Sequence, residues 1–222
     1  MELTHVGRAL AEIGEIRLRV GDLCAAEEAF ARAADMGVTP QPGLALLQLT
    51  RGQTAAAAAS ISVALAEESW DRLARARLLP AQVEIALACA DAVAAGSAAA
   101  ELAELAATYA SSGLAAAAQC AQGAVLLAGG DVAGAAGKLR RGVQLWREAS
   151  TPYHAARARI QLAEAFLRQG DQHSASVELN AARTTFESLG ARPDLEYAVR
   201  LAENAEATCA SLPTRTEADG RS

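Results

Sequence analysis

The sequence predicts an all-α fold: a right-handed α-solenoid of about five helix pairs with a capping helix at its C-terminal end. Three observations predict it. Apolar residues make up 52% of the 222 residues but aromatics only 4%, so the apolar content is mostly Ala and Leu. Ala has the best intrinsic helix propensity and lets helix axes approach closely. Second, a phrase recurs along the chain, an apolar stretch, then Gly-Asp or a relative of it, then an Ala-rich stretch. It falls at Gly21-Asp22, Gly52-Gln53, Ala90-Asp91, Gly130-Asp131 and Gly170-Asp171, with spacings of 31, 38, 40 and 40 residues. A fixed period of this length is the mark of a repeat architecture. Third, the residues around these corners recur as well. A small residue stands seven before the corner, Ala five after it, an aliphatic or aromatic nine after, and a small residue twelve after.

The elements follow in order. Gly suits the left-handed conformation that ends one helix, and Asp caps the next, so each phrase is a tight turn between two helices. Helices are expected at 2–20, 22–36, 43–51, 53–67, 72–89, 91–110, 113–129, 131–149, 152–169, 171–189 and 193–210. The first helix carries Leu3, Val6, Leu10 and Ile13 in one stripe, with Ile16, Leu18 and Val20 outside it. That apolar surface is wide, and a homodimer contact or an upstream domain is expected at this end. The first pair has Gly14, Ala26, Phe30 and Ala33 at the repeated offsets, and Gly37 and Pro40 end its second helix. The second pair has Ala45, Ala57, Ile61 and Ala64. The third is weaker, with Val83, Ala95, Ala99 and Leu102, and its corner lacks Gly. Pro80 falls inside its first helix and predicts a kink or a restart.

The fourth pair has Gly123, Ala135, Leu139 and Gly142, and Ser112 is placed to cap its first helix. The fifth has Ala163, Ala175, Leu179 and Ala182, with Thr151-Pro152 as cap and first helical position. Gly190 and Pro193 end it. The last helix has Leu195, Ala198, Leu201, Ala202, Ala205 and Cys209 on one side and Glu196, Arg200, Glu203 and Glu206 on the other, as a solvating cap requires. The repeat domain is thus 1–210. Residues 211–222 are short and polar, and a disordered tail is expected there.

The offsets around each corner resemble those of tetratricopeptide repeats. The stretch 123–195 narrows the resemblance. Its phrases P-Y-x-A-A-R-A-R at 152–159 and F-x-x-L-G-A-x-P-D at 186–194 are similar to the helical-repeat region of large actinobacterial LuxR-type transcriptional regulators. The resemblance covers roughly 15–200. It implies a protein-interaction or signal-transmitting module from such a regulator, or a stand-alone relative. In that family an ATPase or cyclase-like module precedes the repeats and a DNA-binding helix-turn-helix follows them. The tail SLPTRTEADGRS carries no such helix-turn-helix, so the resemblance lends no DNA binding to this chain.

Composition narrows the chemistry. The net charge is −6 and Lys138 is the one Lys among twenty basic residues, so the clustered basic face that phosphate binding needs is missing. Cys24, Cys89, Cys120 and Cys209 lie at no metal-ligand spacing and are expected as buried free thiols in a cytoplasmic protein. The run 129–139 resembles a phosphate loop, but Val132 stands where the first Gly belongs and Leu139 where the hydroxyl belongs. His154 and His173 are expected to be exposed, and no nucleophile–base set recurs. The chain is therefore read as a non-enzyme without cofactor or metal.

The remaining candidate is the face formed by the first helix of each pair. The resemblance implies that this face is concave and that its positions lie thirteen, ten, six, three and two residues before the corner. They carry Arg8, Glu15 and Arg19, then Arg77 and Glu84, then Arg157, Glu164 and Arg168. The fourth pair contributes a shallow floor of Ala117, Cys120, Ala124, Leu127 and Ala128. The Lys/Asn clamp by which related repeats hold chaperone tails is absent. Two readings follow: Arg and Glu recognise an acidic or amphipathic protein segment in the groove, or they pair with one another as surface ion pairs. A small ligand on the apolar floor is the alternative occupant.

Overall fold

The computed structural model describes residues 2–68 and 70–210. The described residues form eleven helices and no strand: α1 (Glu2–Val20), α2 (Leu23–Asp35), α3 (Gly43–Thr50), α4 (Thr54–Glu67), α5 (Arg72–Ala88), α6 (Ala92–Tyr109), α7 (Ser112–Ala128), α8 (Val132–Glu148), α9 (Pro152–Gln169), α10 (Gln172–Leu189) and α11 (Arg192–Ala210). Each helix packs against its predecessor and successor. The chain is an all-α repeat solenoid of five pairs and a final helix. The expected tail at 211–222 and the side chain of Cys209 lie outside the described residues.

One backbone device repeats at all five corners. The residue after the corner donates to a carbonyl five residues earlier: Asp22 to Arg17 at 2.9 Å, Gln53 to Gln48 at 2.9 Å, Asp91 to Ala86 at 2.8 Å, Asp131 to Leu126 at 3.0 Å and Asp171 to Phe166 at 2.9 Å. The corner residue itself has positive φ, which Gly tolerates and other residues adopt at a cost. Ala90 takes the same conformation at φ 58°, so the third corner keeps the geometry without its glycine. Asp22, Asp91, Asp131 and Asp171 then accept from the backbone N–H three residues on. Ser111, not Ser112, caps α7 by accepting from Leu114. The Thr151 hydroxyl does not cap α9; it donates instead to the Trp146 carbonyl at 3.1 Å.

The small residues lie where two helices of a pair touch. A Cβ on Gly14 would stand 2.4 Å from the Phe30 ring, and one on Gly123 would stand 2.6 Å from Leu139. These are the positions seven before and nine after the corner, so the two offsets are the two sides of one contact. Ala26, Ala57, Ala95, Ala135 and Ala175, five after each corner, are all buried. Pro80 lies inside an unbroken α5. A proline there removes one N–H from the helix ladder, and the helix neither stops nor restarts.

The two ends of the stack meet. The Arg192 Nε donates to the Val20 carbonyl at 3.2 Å, and the Pro193 ring lies against Gly21, 3.1 Å from where a Cβ would be. Arg19 covers the Tyr153 ring at 4.8 Å. The first helices of the pairs therefore curl round until α11 touches α1. The apolar side of α11 packs inward, with Ala198 fully buried, and Glu196, Arg200, Glu203 and Glu206 face solvent, as expected of a cap. On α1, Val6, Ile13 and Ile16 are exposed.

Candidate functional site

Two cavities lie beside the first helices of the pairs. The first, of about 420 Å³, is built by α5, α7, α8, α9 and α11. Its floor is apolar: Pro80, Val83 and Leu87 from α5 meet Ala117, Ala121 and Ala124 from α7. Small side chains at these positions leave the space open. Glu84, Arg157, Glu164, Gln161, Asp194 and Tyr197 stand along its polar side. The second cavity, of about 530 Å³, lies between α1 and α5 and includes Arg8, Glu12, Glu15, Glu67, Glu68, Asp71 and Arg77.

Of the expected positions, Glu84, Arg157 and Glu164 line the first cavity and Arg8, Glu15 and Arg77 the second. Arg19 sits between them, 3.2 Å from Glu15 and over Tyr153. Arg168 lines neither; its Nη1 donates to the Leu127 carbonyl at 2.7 Å. The arginines do not make a free positive strip. Arg157 lies 3.0 Å from Glu84 and 3.8 Å from Asp194, joining α9 to α5 and α11. Glu84 in particular holds its guanidinium charged well above the usual arginine range. Arg77 reaches Glu12 only at 3.9 Å, between two exposed side chains, where an ion pair adds little.

His154 was expected in solvent but is half-buried, stacked on Trp146 with ring centroids 4.7 Å apart, and it lines the first cavity. Burial, with Arg19 and Arg157 nearby, pushes its pKa down to about 4, so the ring is neutral at pH 7. His173 is exposed as expected. Of the cysteines, Cys24 and Cys89 are exposed rather than buried; Cys89 lies in the turn after α5, where its Sγ donates to the Thr54 carbonyl at 3.8 Å. Cys120 is half-buried in the first cavity, and burial pushes its thiol up to about 11, far from a reactive thiolate. Tyr153 donates to Asp194 at 3.0 Å, and Tyr197 donates to Glu164 at 2.6 Å. Burial also raises the Asp194 and Glu15 carboxyls.

The aromatic members of the site, Trp146, His154 and Tyr197, escaped sequence reasoning. None lies at a concave position of a first helix: Trp146 belongs to a second helix, His154 to a first turn, and Tyr197 to the cap. Phe186 and Tyr153, which pack edge-on at 6.1 Å, fall inside the two phrases 152–159 and 186–194 that stood out in the sequence. Among the described residues no three His, Cys, Asp or Glu side chains are placed to hold a metal ion, and no helix is long and apolar enough to cross a membrane. Neither a family model nor a curated protein matches the chain.

Proposed function

We propose that the chain is a non-catalytic, ligand-sensing repeat module of the tetratricopeptide kind, serving as or related to the repeat region of a LuxR-type regulator. The observation that carries this reading is the first cavity, open on one side, with an apolar floor and a few convergent polar groups, in the size range of small-ligand sites. An extended acidic segment is the weaker occupant, because Arg19, Arg157 and Arg168 are already engaged by groups of the same chain. A ligand in the first cavity would contact five helices, including the cap. Its occupancy would tie α11 to α5 and stiffen the stack, which is how it would reach a partner protein. The test is a thermal-shift screen of metabolites. A specific ligand at a hundred times its Kd stabilises the fold by about 2.7 kcal/mol through mass action. An absence of any saturable shift, with partners captured undiminished by a chain whose floor is filled by Ala124→Leu, would sink the reading.

A second reading concerns α1. Val6, Ala9, Ile13 and Ile16 are exposed, whereas Ala155, Ala158, Leu162 and Ala165, at the same offsets in α9, are buried. In α9 the preceding helix α8 covers them. A homodimer or another protein's helix would use the α1 face in the same way, and sedimentation at rising concentration, with Ile13→Glu as control, tests it.

A further inference from the structure

The charge around the first cavity bears on the kind of ligand it would take. Three carboxylates line it, Glu84, Glu164 and Asp194, against one guanidinium, Arg157. Arg157 is shared between Glu84 and Asp194. An anion seeking Arg157 would have to displace one of them and leave that carboxylate without its partner, which is costly in a partly buried site. His154 brings no positive charge at neutral pH. Glu164 makes no ion pair with Arg157, and the Arg200 and Arg168 guanidiniums that act on the neighbouring Tyr197 hydroxyl line neither side of the cavity. Glu164 accepts from the neutral Tyr197 hydroxyl, and among the described residues no basic side chain makes an ion pair with it within 4.0 Å. A carboxylate and a tyrosine ring side by side, next to an apolar floor, suit a cation with a hydrophobic body, which gains both Coulomb and cation–π attraction.

We propose that the first cavity takes a small organic cation, an ammonium group on an aromatic or aliphatic body, with the charge at Glu164 and Tyr197 and the body on the alanine floor towards Trp146. The proposal rests on the ligand-sensing reading above and deepens it.

The chain has two tryptophans; Trp146 lines the cavity and Trp70 is 96% exposed. In the full chain carrying Trp70→Phe, emission therefore reports the cavity. Three ligands are titrated: phenylpropyl-trimethylammonium, its uncharged isostere with carbon in place of nitrogen, and phenylbutanoate. The expected result is saturable change in Trp146 emission by the cation, at least tenfold tighter than by the isostere, and none by the carboxylate. Glu164→Gln keeps an acceptor for Tyr197 and should shrink the preference to under threefold with an unchanged helical spectrum. Should Glu164→Gln lose helicity, Ala124→Leu, which fills the floor, should abolish the emission change by the cation while the fold persists. Equal binding of cation and isostere, or tighter binding of the carboxylate, would overturn the cation proposal and leave a ligand cavity in place. No emission change with any of the three, together with no shift in the metabolite screen, would overturn both.

Discussion

At the scale of single residues, the small positions carry the fold. Gly123 approaches Leu139 so closely that a methyl group must displace it. We expect Gly123→Ala to cost about 1–3 kcal/mol by overpacking, despite its better helix propensity, read as a lower urea midpoint. Ala175→Arg, which forces a charge into a buried helix contact, should cost on the order of 3 kcal/mol or more. Ala90 shows the opposite sign. It holds a left-handed corner at φ 58° that costs an L-residue about 1–2 kcal/mol, so Ala90→Gly should raise the midpoint. His154 supplies a pH dependence. Its pKa falls from the ordinary 6.5 to about 4 in the folded chain, so below pH 6.5 the unfolded state binds the extra proton. The stability linked to the neutral ring is complete above pH 6.5 and is lost as pH falls towards 4. His154→Gln should remove that part of the slope, measured as the difference between the two chains' denaturation midpoints across this range. The corner and contact residues were legible because they recur at fixed offsets. His154 was not, since its burial depends on Trp146 of the preceding helix, which stands sixteen after its corner, an offset outside those that define the repeat.

Helices show the same division. Their number and their bounds, within one or two residues, follow from caps, glycines and periodicity, all local signals. What covers each helix face is not local. Ile13 and Leu162 occupy the same offset in α1 and α9, yet Ile13 is 45% exposed and Leu162 1%. We therefore expect Ile13→Glu to change stability by no more than about 0.5 kcal/mol and Leu162→Glu to cost several, since a carboxylate would be buried without a partner. Equal losses in parallel chemical denaturation would mean that the α1 face is covered in the isolated chain. The wide apolar surface of the first helix was read from the sequence; which of its residues face solvent was not. Of the kink or restart expected at Pro80, the restart does not occur: α5 runs through it from Arg72 to Ala88, because the packing of α5 against its neighbours outweighs one missing N–H.

At the scale of the whole molecule, the repeat could be read but its curvature could not. Offsets within a pair say nothing about the small rotation between pairs, and that rotation decides whether the face stays an open groove or folds in on itself. The contact of Arg192 with Val20 spans 172 positions and leaves no trace in any period. For the same reason the candidate positions were legible as residues but not as two separate cavities; the pairing of Arg with Glu was one of the two readings the sequence allowed, and Arg19–Glu15 and Arg157–Glu84 follow it. The meeting of α11 with α1 also alters how the stack should come apart. A linear array of units frays from its free ends, and each end unit is held by one neighbour alone. Here the first unit and the last are also neighbours of each other, so neither is a free end. Removing residues 192–210 would strip a contact from α1 as well as from α10, and amide exchange in α1 should quicken although every residue within 170 positions of it is unchanged. If α1 exchanges at the same rate in the shortened chain, the two ends are neighbours in space without sharing stability; if it quickens, heat melts the array as one ring and not as a row.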